Sequence, residues 1–251
     1  MTMRSLWVIC LLMLPWSWVA NASTRLTIYA YHSSPPFVIN AETDTGLNYD
    51  LVRALTLQLG NQYEIDYQLI TRPELNERLA QDKPAIVLWA NPAWFQAKNK
   101  PYHWSSPLFI DREIFVSPTD FRGKIEQITD LAASTLGAIE GYKYPGVDEL
   151  IAQHRVTRFD AKSDKENLTR LVERTVDHIV ITRSSFLYYG RQQQFLGKMK
   201  IVGQPYPSYK RQILLTHHYT ALLPDLERAL SNLLQQSDWK ARLDLYGLKS
   251  Q

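Results

Sequence analysis

The first residues able to bind a small molecule follow the first predicted strand, Leu26–Tyr31. Tyr31, Ser33, Ser34 and Phe37 supply hydroxyl groups and aromatic rings where this strand gives way to a Pro-Pro loop. Ligands of open α/β sheets bind in the crevice at the carboxyl ends of the strands. We therefore predict that this loop forms one wall of a ligand cleft. The alternative is a proline-rich surface loop that binds nothing.

A second group of such residues ends or follows the third predicted strand: Trp89, Asn91, Trp94 and Phe95. Aromatic faces stack on flat ligands and attract cations, so these rings are predicted to form a further wall of the cleft. The competing interpretation is that Trp89 and Phe95 simply pack the core, since large aromatic side chains are also frequent in protein interiors.

Catalytic and metal-binding chemistry is poorly supported by the sequence. Asp50, Glu140 and Asp177 lie near predicted strand and helix starts, where carboxylates usually act as caps or ion-pair partners. His217 and His218 are adjacent, and neighbouring residues on a strand point to opposite faces, so this pair is not expected to hold a metal. The chain has no His-x-Glu or Cys-x-x-Cys pattern, no Gly-x-Ser-x-Gly elbow and no glycine-rich phosphate loop. We predict no catalytic residue, no metal site and no cofactor.

Strand and helix patterns alternate through the first part of the chain and must position these side chains. Leu51, Val52, Leu55 and Leu59 recur at helical spacing, and residues 85–89 form a continuous apolar run typical of a strand buried on both faces. The predicted order is strand 26–31, helix 48–59, strand 63–70, helix 72–79 and strand 85–89. This order implies a parallel sheet with right-handed crossovers.

The same alternation restarts after residue 113. The predicted elements are strands 113–117 and 136–139, helix 147–151, strand 155–159, helix 164–174, strand 177–182, helix 184–193, strands 200–202 and 213–216, and helices 222–236 and 239–246. Two such units in series, with strands between and after them, predict two α/β lobes joined by two crossing segments.

Composition excludes several classes of protein. The chain has 251 residues, a net charge of +3 and scattered basic residues, which does not favour binding to nucleic acid or to an anionic membrane. Its single cysteine, Cys10, lies in a segment that is predicted to be removed, so the mature chain can form no disulfide.

Residues 1–22 are predicted to be a signal peptide. Arg4 supplies the positive charge, residues 6–19 are mostly apolar, and Ala20-Asn-Ala22 resembles a cleavage site. The apolar run is shorter than the roughly 20 residues that span a bilayer, which argues against an uncleaved anchor. We expect cleavage after Ala22 and secretion of the mature chain.

Four motifs follow one another along the chain: Pro35-Pro36-Phe37 after the first strand, Gly46-Leu-Asn-Tyr-Asp-Leu51 at a helix start, Trp104-Ser-Ser-Pro107 before the first crossing strand, and Asp177-His-Ile-Val-Ile181. In this order they resemble the motifs of the periplasmic solute-binding proteins of the polar amino-acid type (bacterial family 3), and the resemblance implies that the secreted chain resides in the periplasm. The resemblance covers nearly the whole mature chain. It implies an α/β, two-lobed periplasmic-binding-protein type II fold, with a hinge of two crossing segments and a ligand cleft between the lobes. Lobe 1 is expected to comprise residues 23–114 and 211–251, and lobe 2 residues 115–210.

The resemblance also implies roles for particular residues. Lys98 stands where amino-acid-binding members of the family hold the ligand carboxylate with an arginine, and Thr182 stands where they usually have an acid for the ammonium group. Glu140 and Tyr142 flank the lobe 2 loop whose backbone N–H groups are a natural carboxylate site. We therefore add Lys98, Glu140, Tyr142 and Thr182 to the predicted ligand-binding residues.

These observations predict a secreted, non-catalytic binding protein for an amino-acid-like ligand or a small carboxylate or amine. Cleft closure would serve transport or sensing, with an inner-membrane ABC permease or a membrane sensor as partner, and the protein is expected to be a monomer that binds no nucleic acid. Two alternatives stay open: an enzyme on the same fold, similar to cyclohexadienyl dehydratase, and a protein that binds a partner but no ligand.

Overall fold

The computed structural model describes residues 24–95 and 101–248. The predicted signal peptide and Lys98 lie outside the described residues. The strands are β1 Thr24–Ala30, β2 Tyr63–Leu69, β3 Ile86–Ala90, β4 His103–Trp104, β5 Phe109–Asp111, β6 Glu113–Pro118, β7 Ser134–Ile139, β8 Val156–Ala161, β9 His178–Thr182, β10 Met199–Gly203 and β11 Tyr209–Leu215. The α-helices are α1 Leu47–Leu59, α2 Arg72–Ala80, α3 Val147–Ala152, α4 Asp164–Val172, α5 Arg183–Tyr189, α6 Leu223–Gln235 and α7 Ser237–Leu245.

The first sheet is built from both ends of the described chain. Its strand order is β2-β1-β3-β11-β4, and β5 pairs with β11 beside this path. β1 is parallel to both β2 and β3, as the alternation of strands and helices predicts, whereas β11 returns antiparallel to β3. All five residues of β3 are buried, because helices cover both faces of the sheet around it.

The second sheet has the order β10-β6-β9-β7-β8. β7 is parallel to β8 and β9, and β6 is antiparallel to β9 and β10. The chain enters this sheet from β5 through Arg112 and returns to the first sheet along β11. The expected lobe boundaries, after residues 114 and 210, fall inside β6 and β11, and they stay a prediction.

Each sheet has an apolar cluster on either face. In the first sheet, α1, α6 and α7 cover one cluster and α2 covers the other. In the second sheet, α3 packs on one side and α4 and α5 on the other. The spacing of Leu226, Leu230 and Leu233 on α6 explains its attachment, since these side chains lie on one helix face and are all buried.

The loop after β1 is fixed against the start of α1. The backbone N–H groups of Leu47 and Asn48 donate to the carbonyl oxygens of Pro36 and Phe37, at 2.8 and 3.0 Å. Gly46 permits this approach, because it has φ 129° and a Cβ there would lie 2.5 Å from the Phe37 oxygen. The turn glycine therefore holds the loop in place at the carboxyl end of β1.

The expectation that His217 and His218 diverge was wrong. Strand β11 ends at Leu215, and both histidines lie in a 3₁₀ helix, His217–Leu222. Their rings lie 3.9 Å apart between centroids and are tilted by 38°. The alternating geometry of a strand no longer applies once the chain has turned into a helix.

Within the two described stretches, every helix is too short or too polar to span a membrane.

Candidate functional site

The candidate site lies between the two sheets, where the ends of β1 and β3 face the start of α5. The Ser185 hydroxyl, in the first turn of α5, donates to the Pro35 carbonyl oxygen at 2.7 Å. Ser184 donates to Asp111 from its backbone N–H at 3.1 Å and from its hydroxyl at 2.8 Å. These contacts connect the second sheet directly to the loop after β1 and to β5.

An ion pair between Arg211 and Asp111 lies at the centre of this region. The distance between Arg211 Nη2 and Asp111 Oδ2 is 2.9 Å, and each side chain is only 1% exposed. The remaining hydrogen bonds of the guanidinium are a second bond to Asp111 and one each to His32 Nε2, the Trp89 carbonyl oxygen and the Tyr209 hydroxyl. A guanidinium has five N–H donors, and all five are used here. Every N–H group of the Arg211 guanidinium therefore bonds within the protein, and none is left for a ligand.

His32 is held neutral by this arrangement. A guanidinium only donates, so His32 Nε2 must accept the 2.8 Å hydrogen bond from Arg211 Nη1. Burial lowers the pKa of His32 well below its usual value, and the positive charges of Arg211 and Arg72 lower it further. The ring packs between Tyr31 and Phe37, at centroid distances of 4.1 and 5.0 Å.

Arg72 is a cation of the candidate site that, among the described residues, retains hydrogen-bonding capacity. Its guanidinium lies 4.1 Å from the Phe95 ring centroid and 5.1 Å from that of Tyr31. Among the described residues it donates to Asn76 Oδ1 at 2.9 Å and to the Trp94 carbonyl oxygen at 2.7 Å. These bonds use two of its five donors, so Arg72 can still hold an anion.

The Tyr31 hydroxyl is buried without a hydrogen-bond partner among the described residues. Burial raises the pKa of Tyr31 to about 12, although Arg211 and Arg72 oppose the rise. A buried hydroxyl without a partner is costly, so it is a ready donor or acceptor for a bound molecule.

Two carboxyl groups face this cationic and aromatic wall from the second sheet. Asp164 begins α4 and is 8% exposed, and burial raises its pKa to about 6. Glu113 begins β6 and accepts a hydrogen bond from the Tyr209 hydroxyl at 3.3 Å. Burial, followed by the charge of Asp111, raises the pKa of Glu113 to about 8. Both groups are therefore acids whose ionised forms would be favoured by a cation.

The predicted site residues of the first sheet separate into two groups. Tyr31 and Trp94 lie beside the charged groups of the candidate site: Trp94 packs at 4.8 Å from the Tyr209 ring, and the Arg211 guanidinium lies 5.2 Å from the Trp94 ring centroid. Phe37 and Trp89 are buried in the core beneath them, and the Trp89 Nε1–H donates to Asn48 Oδ1 at 2.7 Å.

The Asn91 side chain bonds to backbone groups: its Oδ1 accepts from Ala93 N at 2.9 Å, and its Nδ2 donates to the Lys210 carbonyl oxygen at 2.9 Å. Ser34 is half-buried in the loop after β1, where its carbonyl oxygen accepts the Phe37 N–H at 3.0 Å. A role for either residue in ligand binding stays a prediction.

The predicted residues of the second sheet are more exposed. Thr182 is the N-cap of α5, where its hydroxyl accepts from Ser185 N and donates to the Ser185 hydroxyl. Tyr142 is 58% exposed, and partial burial, followed by the charges of Asp164 and Glu113, raises its pKa. Glu140 is exposed at the end of β7. Tyr142 therefore lies close enough to the charged groups of the candidate site for them to raise its pKa.

Sequence reasoning missed the charged residues of the site. Arg72 and Asp164 had a usable signal, since each follows a predicted strand at its carboxyl end, where ligands bind. Asp111, Glu113 and Arg211 gave no local signal. Asp111 and Arg211 meet only when β5 pairs with β11, and Glu113 joins them from the start of β6, which pairs with β9 in the second sheet.

No family model matches the chain, and no curated protein matches its sequence. Solved structures do match. The GluR0 ligand-binding core from Nostoc punctiforme in complex with (L)-glutamate is 21% identical, with a TM-score of 0.64 over 88% of this chain and 98% of that one. The L-cystine solute receptor of Neisseria gonorrhoeae, unliganded and open, is 13% identical, with a TM-score of 0.62 over 92% and 95%.

An ancestral arginine-binding protein bound to arginine is also similar, with 17% identity and a TM-score of 0.65 over 88% of this chain and 97% of that one. At such identities the similarity establishes the fold alone. The predicted two-lobed fold of periplasmic binding proteins is therefore confirmed, whereas membership of bacterial family 3 stays a prediction.

Proposed function

We propose that this protein binds a small molecule that carries both an anionic and a cationic group, as amino acids do. The observation that carries the proposal is the distribution of charge between the lobes. Arg72 retains donors on the side of the first sheet, and Asp164 is a buried carboxyl group on the side of the second. A zwitterionic ligand that spans the gap between the lobes pairs its anionic group with Arg72 and its cationic group with Asp164.

The residues on the two sides of the gap between the lobes have distinct parts in binding. Arg72 holds the ligand carboxylate, since a guanidinium matches its planar geometry and forms charge-assisted hydrogen bonds. Asp164 holds the ammonium group, which stabilises the ionised carboxylate that burial alone disfavours. The rings of Tyr31, Trp94 and Phe95 contact the remaining ligand surface.

Arg211 is excluded from direct binding because its five donors are used. Its contribution is to hold His32 and Tyr209 in place. This assignment differs from the expectation from the family, in which Lys98 would hold the carboxylate and Thr182 would occupy the position of the acid.

Binding is coupled to the approach of the lobes. A ligand held by both Arg72 and Asp164 has a higher affinity for the closed state than for an open one, and this difference drives closure. The hydrogen bond from Ser185 to Pro35 adds a direct contact between the lobes to the closed state.

The proposed setting is the periplasm, after removal of residues 1–22, with the protein as a monomer. The closed form would be recognised by an inner-membrane ABC permease or by a membrane sensor. The description of one similar structure as a solute receptor and of another as a ligand-binding core is consistent with either use.

The test is a thermal-unfolding screen of the mature protein with amino acids, polyamines, aromatic acids and small carboxylates, followed by calorimetry on the hits. A ligand at about 100 times its dissociation constant stabilises the folded state by about 2.7 kcal/mol. Arg72→Met and Asp164→Asn each remove a charge-assisted bond worth about 1.5–3 kcal/mol, so each should weaken binding about ten- to a hundredfold.

Arg78→Met is the matched control. Arg78 also lies on α2 and over an aromatic ring, 4.4 Å from that of Tyr29, but its Nη1 donates to Pro84 O away from the site. It should leave the affinity unchanged. Absence of any hit, or a hit whose affinity is insensitive to Arg72→Met and Asp164→Asn, refutes the proposal. If NMR instead shows that the protein converts the hit to a product, the result favours the alternative that the protein is an enzyme on the same fold.

A further inference from the structure

A second cluster of side chains lies at the opposite end of the first sheet from the candidate site. Asp82 stands in the turn before β3, and His217 and His218 follow β11. One ligand atom from each of the three lies within 4.8 Å of the others. We propose that Asp82, His217 and His218 form a binding site for one divalent transition-metal ion.

The backbone around this cluster is fixed by the buried strands. Thr216 donates from its N–H to the Ala85 carbonyl oxygen at 3.0 Å, and Ala85 donates from its N–H to the Thr216 hydroxyl at 3.1 Å. Thr216 is only 3% exposed and Ala85 is fully buried. The turn that carries Asp82 and the 3₁₀ helix that carries the histidines are therefore held together before any ion binds.

The distances suit a tetrahedral ion. His217 Nδ1 and Asp82 Oδ1 lie 3.5 Å apart. In a tetrahedral site with zinc–ligand distances of about 2.0–2.2 Å, two ligand atoms are about 3.3 Å apart. Side-chain rotations alone can close the remaining difference, since Asp82 and His217 are only half-buried and His218 is exposed.

The two imidazole rings lie beside each other, with their centroids 3.9 Å apart, and Asp82 adds a carboxylate to the pair. The cluster thus combines imidazole nitrogens with a carboxylate oxygen, a set of ligands that zinc binds, and the carboxylate offsets part of the charge of the ion.

The ligand types select the class of ion. Imidazole suits zinc, copper and nickel, whereas magnesium and calcium prefer sites made of oxygen ligands. Three protein ligands on a solvent-accessible surface leave a fourth position for water. Zn²⁺ is the appropriate probe, with Mg²⁺ as the comparison.

This site is separate from the ligand cleft. Asp82 precedes the first residue of β3, whereas Asn91 and Trp94 follow its last residue. The five residues of β3 separate the two ends by about 16 Å at 3.3 Å per residue. A failure of either proposal thus leaves the other untouched.

The experiment is calorimetric titration of the untagged mature protein with ZnCl₂ and, separately, with MgCl₂. We expect one Zn²⁺ per chain and no measurable heat of binding from Mg²⁺. His218→Ala and Asp82→Asn should each weaken Zn²⁺ binding at least about tenfold. His218 is exposed, so its loss does not threaten the fold.

His154→Asn is the matched control, because it removes an exposed imidazole from the second lobe at a position with φ 55°, which asparagine tolerates. It should leave Zn²⁺ affinity unchanged. Cobalt absorption provides a second readout, since the intensity of its d–d bands reports four-coordinate geometry and should be lost in His218→Ala. Absence of Zn²⁺ binding at millimolar metal, or equal affinity in wild type and His218→Ala, overturns the proposal.

Discussion

The change from Asp111 to Asn tests the buried ion pair most directly. Asp111 Oδ2 accepts hydrogen bonds from Arg211 Nε at 3.2 Å and Nη2 at 2.9 Å, with both side chains 1% exposed. The substitution removes the negative charge, whereas Arg211 stays charged because arginine does not deprotonate in proteins. Asp111→Asn therefore leaves a charge buried without its partner.

The expected cost is large. Removing one partner of a buried ion pair destabilises proteins by about 3–5 kcal/mol. For a chain of 150–250 residues each kcal/mol lowers the melting temperature by about 2–4 °C, so a fall of about 6–20 °C is expected. Asparagine keeps one oxygen and replaces the other with a donor, so Ser184 also loses the acceptor of either its N–H or its hydroxyl, which weakens the contact between the lobes.

The assay is urea unfolding followed by tryptophan fluorescence, with thermal unfolding followed by circular dichroism. Asp120→Asn is the control, because Asp120 forms two hydrogen bonds to Arg174 at the surface, at 2.8 and 2.9 Å, with both side chains exposed. Solvent screens such a pair, so its loss should have a much smaller effect.

The double variant Asp111→Leu with Arg211→Met separates charge from packing. It removes both charges, so it should recover stability relative to Asp111→Asn, as hydrophobic replacements of buried ion pairs often do. The reasoning is refuted if Asp111→Asn destabilises the protein no more than Asp120→Asn. It also fails if the double variant is less stable than Asp111→Asn.

Three further predictions concern stability. Burial raises the pKa of Glu113 from 4.5 to about 8, so the stability that its protonated form contributes is complete below 4.5 and is lost as the pH rises through about 8. We expect the urea midpoint of the wild type to fall as the pH rises over this range, and the midpoint of Glu113→Gln to fall less. An equal pH dependence of the two midpoints would contradict this. Trp89→Phe leaves Asn48 Oδ1 without its 2.7 Å hydrogen bond, and urea unfolding should show a loss of about 1–3 kcal/mol; wild-type stability would show that Asn48 finds another donor. Leu230→Ala opens a cavity beneath α6, where Leu230 is fully buried, and should cost about 2–5 kcal/mol by the same assay, whereas a neutral result would mean that α6 does not support the core.

Most of the elements were predictable because their patterns are local. Alternation in residues 26–31, the apolar run 85–89 and the helical spacing from Leu51 to Leu59 each depend on neighbours within a few residues. Their ends were less accurate. The predicted helix 184–193 ends at Tyr189, and β8 begins at Val156 and extends to Ala161.

The position of the candidate site was also predictable, but its chemistry was not. The strand-end rule located the loop after β1 and the residues after β3, and the structure places Tyr31 and Trp94 beside the charged groups of the candidate site; their part in binding stays a prediction. The same rule gave no means of separating Trp94 from Trp89, because aromatic residues serve equally in cores and in pockets. Burial separates them: Trp89 is fully covered and its N–H is used by Asn48.

By itself, the sequence determined the alternation of strands and helices, the place where the first strand ends and the glycine on which the next helix depends. These follow from short-range sterics and periodicity, which act between residues close together in the chain. Only the tertiary structure decided which charges meet. Asp111 and Arg211 are separated by 100 positions, and the turn of Asp82 reaches His217 from a distant strand end. Such pairs form because β3, β5 and β11 lie side by side, and strand pairing over long separations depends on the packing of the whole sheet rather than on any local pattern.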